Sequence, residues 1–214
     1  MRILTSTQRT DAWRQARLGR VTSSRAADML AQVKRGEAKG RAQLRTQLVL
    51  ERITRAPQDR LAVTSDMLYG LSREADARAL YEDTCDVTVQ QVGFVAHDTL
   101  AAGCSPDGLI DDFDGLLELK CCTPATHLAF LETGRIPRAH LLQLTHALWI
   151  TGAAWADYVS FDDRFPPGLQ LAIGRVTAGQ FDLVLYERNV RAFLDEVDSK
   201  EAQIRSWADN AEVA

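Results

Sequence analysis

The chain has 214 residues, 46% hydrophobic and 25% charged, with 25 Lys and Arg against 29 Asp and Glu for a formal net charge of −4. This is globular composition, long enough for a sizeable core in one domain or at most two, and it excludes a uniformly basic protein. No stretch approaches the ~18 to 20 consecutive apolar residues of a membrane span, and the opening MRILTSTQRTDAW has no apolar core like a signal peptide's, so a cytoplasmic protein is expected. The charge is unevenly placed: residues 1 to 60 hold 14 Lys and Arg against 5 Asp and Glu, a balance of +9, and the rest carry −13. That polarity suits a polyanion grip beside a carboxylate cluster able to hold metal, and it equally suits unequal solvated surface.

In chain order, Thr22 or Ser23 is a candidate N-cap for a helix over 24–33, and an Arg-rich helix follows over 38–53. A further helix starts near Thr64 or Ser65, with Leu68, Leu71, Ala75 and Ala79 at helical spacing and expected to face the core. From Val87 to Cys122 the runs DVTVQQVGFVA, LAAGCSPDG and GLLELKCC read as the strands of a central sheet, with 111–115 as an acidic hairpin turn. A helix over 138–151, strands over 154–161 and 169–176, and an amphipathic helix over 178–207 complete a mixed α/β domain. There is no repeat or linker, so one domain spans 1–214: a basic helical part to about 60, a core over 64–176 and a closing helix. Cys85, Cys104, Cys121 and Cys122 contain no C-x-x-C pair and read as reduced thiols filling packing space. His97, His127 and His146 share no metal-ligand spacing and read as structural.

The chemistry is densest in Cys104-Ser-Pro-Asp107-Gly and, after a turn, Leu117-Glu118-Leu119-Lys120. Strand alternation puts Leu117, Leu119 and Cys121 on one face and Glu118 with Lys120 on the other. Asp107 follows a short strand at a Pro-Asp-Gly turn, so two carboxylates and an ammonium meet at one end of a hairpin. Such hard oxygen donors, with a backbone carbonyl, suit Mg²⁺, which lowers the pKa of a bound water while the Lys orients or helps deprotonate it. Taken alone, the pattern also fits a polar hairpin with an ion pair.

Five motifs stand together in order: Arg17-Leu-Gly-Arg-Val-Thr-Ser-Ser24, Tyr69-Gly-Leu-Ser-Arg-Glu74-Ala-Asp-Ala-Arg-Ala-Leu-Tyr81, Ala102-Gly-Cys-Ser-Pro-Asp107-Gly-Leu, Gly115-Leu-Leu-Glu118-Leu-Lys120-Cys, and Gln143 with Trp149-Ile-Thr151. In these, from Trp13 to at least Asp162, the chain resembles the lambda-type phage alkaline exonucleases, grouped with YqaJ-like viral recombinases in the PD-(D/E)xK nuclease superfamily. The resemblance implies a restriction-endonuclease-like core with a mixed sheet flanked by helices. It makes Asp107 a carboxylate shared by two Mg²⁺ ions, Mn²⁺ being the other candidate metal. Glu118 and the backbone carbonyl of Leu119 would bind one ion, Lys120 would act on the nucleophilic water, and Glu74 would assist the second ion. Gln143 would hydrogen-bond into the active site. Arg17, Ser24 and Ser105 match positions that hold the 5′-terminal phosphate of a DNA end. Read without the family, Glu74 pairs with Arg78 one turn on, Gln143 is an exposed glutamine, Ser24 is a helix cap and Arg17 a surface charge. Two departures stand out: Arg25 where relatives commonly carry an acidic residue, and His140 where an aromatic one is familiar, read here as a partly buried packing histidine.

The implied activity is Mg²⁺-dependent 5′-to-3′ digestion of one strand of linear duplex DNA to mononucleotides, leaving a 3′ tail for phage-type recombination. The implied assembly is a ring-shaped homotrimer around DNA working with a single-strand annealing protein, encoded by a phage or prophage. On this reading the basic first quarter holds the phosphate pocket and much of the DNA-facing surface. The alternative is a site- or structure-specific endonuclease of the same superfamily, which shares Asp107, Glu118 and Lys120 but needs no 5′-phosphate pocket. A relative with an iron-sulphur cluster needs a carboxy-terminal cysteine group, and no cysteine follows residue 122. A binding module with a decayed site is disfavoured because positions 74, 107, 118 and 120 all keep competent side chains.

Overall fold

The computed structural model describes residues 1–5, 7–58 and 65–211. In chain order its elements are β1 (Arg2–Leu4), α1 (Asp11–Arg17), β2 (Val21–Thr22), α2 (Ala26–Met29), α3 (Lys39–Thr54), α4 (Ser65–Cys85), β3 (Phe94–Ala96), β4 (Ala102–Cys104), β5 (Gly108–Ile110), β6 (Gly115–Cys121), α5 (Pro124–Thr133), α6 (Arg138–Thr151), β7 (Trp155–Phe161), β8 (Leu171–Thr177) and α7 (Leu183–Ala211). Thr64, one of the two expected starts of α4, lies outside the described residues.

The strands form two mixed sheets flanked by helices, ordered β1-β3-β4-β2 and β5-β6-β7-β8. The sequence reading had the strands of 87–122 in a single sheet. They divide instead: β4 ends at Cys104 and β5 begins at Gly108, so Ser105, Pro106 and Asp107 carry the chain from one sheet to the other. Pro106 has no N–H to give a ladder, which suits a crossing point. Gly108 is obligatory there, since a Cβ would sit 2.0 Å from Cγ1 of Val89.

β6 is the spine of the second sheet, antiparallel to β5 and parallel to β7 in full seven-residue register. A parallel pair needs a long crossover, supplied by α5 and α6. Leu117 and Leu119 pack beneath Ala77 and Tyr81 of α4, while Leu116 on the other face joins the main core with Leu144 and Leu148 of α6. Each such leucine stabilises the fold by roughly 1.5–3 kcal/mol through burial. Thr123 and Pro124 start α5, a helix the sequence reading passed over, and left-handed Gly134 ends it.

Three helix expectations are corrected. α2 ends at Met29, short of residue 33: the Arg41 guanidinium donates to the Met29 carbonyl, giving that orphan acceptor a tertiary partner. Neither proposed cap makes a side-chain cap bond, and 23–25 form a 3₁₀ turn. α7 starts at Leu183, five residues late, because Thr177 and Gln180 close a capping box on a separate turn and Asp182 Oδ1 accepts from Leu185 N–H at 2.9 Å. On α4 the expected core face is the exposed one: Leu68 is 57% and Leu71 44% exposed, and Ala75 and Ala79 are exposed too. The buried face is instead formed by Ala77 and Tyr81, which pack with Leu117 and Leu119 of β6, while Gly70 lies beside Cys121.

Two tyrosines fasten α4 along β7. Tyr81 Oη donates to Asp157 Oδ2 at 2.8 Å, a fully buried carboxylate that also takes both arms of Arg175 at 2.7 and 2.8 Å. Tyr69 Oη donates to Asp163 Oδ1 at 2.6 Å just past the other end of the strand. Glu74 lies between these anchors.

His146, fully buried on α6, bridges Tyr186 Oη at 2.8 Å and the Gly103 carbonyl at 3.1 Å. Burial pushes its pKa down to about 3. Below the ordinary imidazole value of 6.5 the unfolded chain takes up a proton that the folded protein refuses until about pH 3. Stability is therefore lost as pH falls through that window, at up to about 1.4 kcal/mol per pH unit for one group. Denaturant titrations should show His146→Gln less stable at pH 7.5 but losing less between pH 6 and pH 4 than the parent; equal losses would contradict this.

Candidate active site

The crossing between the sheets builds the site. Asp107 N–H donates to the Leu117 carbonyl at 3.0 Å, extending the β5–β6 ladder by one residue, and Leu119 N–H donates to Asp107 Oδ2 at 2.7 Å. Leu119 therefore turns its backbone toward Asp107, beyond the end of β5, and residues of a ladder present N–H and C=O to the same side. The Leu119 carbonyl thus lies beside the Asp107 carboxylate. On the adjoining face of β6, Oε1 of the buried Glu118 accepts from both Lys120 Nζ and Gln143 Nε2. Both bonds fall on Oε1 and leave Oε2 for another ligand.

Burial first, and the Glu118 charge second, push Asp107 up to about 7; Lys120 and the Leu119 N–H pull the other way. Burial alone would lower Lys120, but the charges of Glu118 and Asp107 outweigh it and hold the ammonium above its ordinary value. Two carboxylates, one of which makes the other costlier to ionise, with a backbone carbonyl alongside, are hard oxygen donors of the kind that could hold a divalent cation. Among the described residues no three His, Cys, Asp or Glu side chains form a group able to hold a metal ion.

Glu74 lies near enough for its charge to act on Asp107. Its partner is neither Arg78 nor an active-site group: Arg9 grips both oxygens, Nη2 to Oε1 at 2.5 Å and Nη1 to Oε2 at 3.1 Å. The sequence reading missed Arg9, which belongs to none of the five motifs. Gln143 contacts Glu118 and so is no idle surface glutamine. His140 is partly buried, its ring 5.3 Å from that of Tyr158, and burial lowers its pKa.

A second group of residues lies on the other side of the crossing. Ser105 Oγ accepts from Trp13 Nε1 at 2.9 Å and from Arg17 Nη1 at 3.5 Å, with the Arg17 guanidinium 4.1 Å over the Trp13 ring. Trp13 was missed as a contributor: it holds Ser105 and also donates to the Gly93 carbonyl at 3.1 Å. Parallel pairing of β2 with β4 sets Thr22 beside Gly103, so Ser24 and Ser105 emerge at the same sheet end. Ser24 is exposed, its hydroxyl 3.4 Å from that of Thr22.

The basic first quarter does not form one free surface. Arg41 and Arg45 of α3 pair with Glu196, and Arg52 with Asp198 and Glu201, all on α7. Arg25 binds Asp28 and Gln47. Much of the charge polarity along the chain thus joins the first long helix to the last.

Residues 12–154 match the YqaJ-like viral recombinase domain. The chain belongs to this family, the lambda-type alkaline exonucleases, and with it to the nuclease class of hydrolases. Over 96% of the chain and 100% of the other it superposes on the alkaline exonuclease LHK-Exo from Laribacter hongkongensis, with 32% identity and a TM-score of 0.86. LHK-Exo in complex with dAMP superposes over the same shares at 33% identity and 0.84. A phage-related exonuclease from Haemophilus somnus 129PT, at 11% identity and a TM-score of 0.64 over 86% of this chain and 96% of that one, shares the fold. No curated protein matches the chain. No helix of the described residues is long and apolar enough to cross a membrane.

The raised Asp107 value has a consequence for the metal-free protein. A carboxyl whose folded pKa lies near 7 against an ordinary 3.8 costs the fold stability as pH rises from about 4 to 7. Asn in its place keeps an acceptor for the Leu119 N–H without the charge. In EDTA at pH 8, Asp107→Asn should melt a few degrees above the parent, with the gain shrinking toward pH 4; equal melting at pH 8 would refute the buried-charge account.

Proposed function

We propose that the protein is a Mg²⁺-dependent exonuclease that digests the 5′-ended strand of linear duplex DNA to mononucleotides, leaving a 3′ tail for single-strand annealing. The observation that carries this reading is the closeness of two sites: Ser105, gripped by Trp13 and Arg17, is two residues from Asp107. Two residues of extended chain span about 7 Å at most. A terminal phosphate held at Ser105 therefore leaves room for about one nucleotide before the next phosphodiester reaches Asp107. The solved complex of LHK-Exo with a mononucleotide, dAMP, agrees with a product of that size.

Asp107, Glu118 and the Leu119 carbonyl would hold one Mg²⁺, with Mn²⁺ a second hard cation the set accepts, and Asp107 with Glu74 would serve a second ion. Bound there, the metal lowers the pKa of the attacking water and neutralises charge on the phosphoryl group. Lys120, bonded to Glu118, would orient the attacking water and support the developing oxyanion charge. Gln143 holds Glu118 through Oε1, which would leave Oε2 for the ion. Arg17, with Ser105 and Ser24, takes the 5′ phosphate, the guanidinium forking two oxygens while Trp13 holds its plane.

A ring-shaped homotrimer belongs to the same reading. With net charge −4 and the arginines of α3 engaged by α7, open-surface binding is weak and salt-sensitive, whereas enclosure of the duplex needs neither strong charge nor low salt. The exposed Leu68 and Leu71 of α4 supply apolar surface of the sort such contacts use. A single-strand annealing protein would take up the 3′ tail.

Three DNAs decide the reading in Mg²⁺: a linear duplex with 5′ phosphates, the same duplex with 5′ hydroxyls, and a closed circle. The phosphorylated duplex should be degraded at least about tenfold faster than the hydroxyl one, an advantage Arg17→Ala should remove, and the circle should survive. Cleavage of the circle would establish the endonuclease alternative. Lys120→Ala should retain metal and DNA binding yet lose on the order of 10² or more in rate, as for the loss of one preorganised donor; normal turnover would remove Lys120 from the mechanism.

A further inference from the structure

Arg9 has no part in the five motifs, yet it faces the reaction centre. Its backbone is left-handed, with φ of 70°, a conformation that disfavours any residue with a Cβ. The turn around it is nevertheless held firmly. Gln8 Nε2 donates at 3.0 Å to the carbonyls of both Val92 and Pro106, the latter immediately before Asp107. Thr10 Oγ1 donates to the Thr7 carbonyl at 2.7 Å and caps α1. Gln8 thus pins the turn to the crossing between the sheets, and the next side chain projects to Glu74.

There both guanidinium arms take both carboxylate oxygens of Glu74, and the Asp107 charge also reaches Arg9. The pair is not a buried strut: Arg9 is 49% and Glu74 28% exposed, and exposed ion pairs add little to stability. A strained, doubly anchored turn that delivers a cation to this carboxylate is better explained by what it does to the carboxylate. A Glu whose two oxygens each accept from a guanidinium has its charge compensated and one lone pair on each oxygen engaged, so its pull on a metal ion is weakened.

We propose that Arg9 is a positioning residue, a built-in counter-cation that holds Glu74 off the metal site and weakens divalent binding there in the DNA-free enzyme. A phosphate oxygen of arriving DNA is a ligand of the same chemistry as the carboxylate, so substrate can draw Arg9 away and release Glu74. Metal occupancy at Glu74 then follows DNA binding. This rests on the proposed assignment of Glu74 to a second ion.

The test is calorimetric titration of the DNA-free protein with Mn²⁺ alone, for the parent, Arg9→Gln, Arg9→Gly, Glu74→Gln and the Arg9→Gln/Glu74→Gln double variant. The parent should bind one ion more tightly than the second. Either Arg9 substitution should tighten the second by about tenfold, the equivalent of 1.4 kcal/mol, and the gain should vanish in the double variant. Arg9→Gly, which relieves the left-handed strain, guards against a folding artefact because it should give the same gain. Unchanged or weaker Mn²⁺ binding in both Arg9 variants would overturn the proposal. If that occurs while Glu74→Gln still loses the second ion, Arg9 alone is misassigned; if Glu74→Gln binds Mn²⁺ as the parent does and digests DNA normally, the reading of Glu74 itself fails.

Discussion

Two carboxylates, the half-buried Asp107 and the buried Glu118, stand close enough for the charge of one to act on the other where the chain passes from one sheet to the next. Charges in such a place are tolerated only with partners, and the protein supplies some of them: Leu119 N–H for Asp107, Lys120 and Gln143 for Glu118. The remaining strain appears in Asp107, whose proton is held to about pH 7. A hard divalent cation would relieve it, which is why this arrangement suits the metal-assisted nuclease proposed above. Most of the surrounding architecture serves to keep this arrangement rigid. β6 is paired on both sides and covered on both faces, so Glu118 and Lys120 have fixed backbone positions.

α4 is held to the same standard by different means. Tyr69 and Tyr81 tie it to aspartates at the two ends of β7, and the small residues Gly70 and Ala77 let it lie close on β6. The motif from Tyr69 to Tyr81 is thus a clamp with Glu74 in its middle. The proposed phosphate pocket is built from the other sheet: β2 and β4 run in parallel and bring Ser24 and Ser105 to one edge, and Trp13 fixes Ser105. The proposed metal site and phosphate pocket are separate constructions that share the three residues between β4 and β5.

The hairpin, α3, α6 and the pairing of chemistry on β6 were legible in the sequence because each depends on local pattern: strand alternation, a turn between two apolar runs, or uninterrupted helical periodicity. The division into two sheets was not, since strand texture from 87 to 122 carries no mark of which strand pairs with which. The buried face of α4 was misjudged because Leu68 and Leu71 point outward, while the inward face rests on Ala77 and on Tyr81, whose hydroxyl finds a buried partner that a hydrophobicity pattern does not register. The arginines of α3 looked like a nucleic-acid surface until their long-range partners on α7 appeared, at sequence separations that no local reading reaches. Arg9 and Trp13 share that difficulty: each acts through a residue 65 or more positions away.

The central claim is that these two adjoining sites remove nucleotides from the 5′ end of one strand with a divalent metal. It is tested most directly with a blunt, 5′-phosphorylated linear duplex labelled separately at the 5′ or the 3′ end of one strand, followed over time in Mg²⁺ and in EDTA. The account predicts early release of 5′ label as mononucleotide, retention of 3′ label in long single strands, and no digestion in EDTA. Early loss of the 3′ label, or undiminished digestion in EDTA, would contradict it.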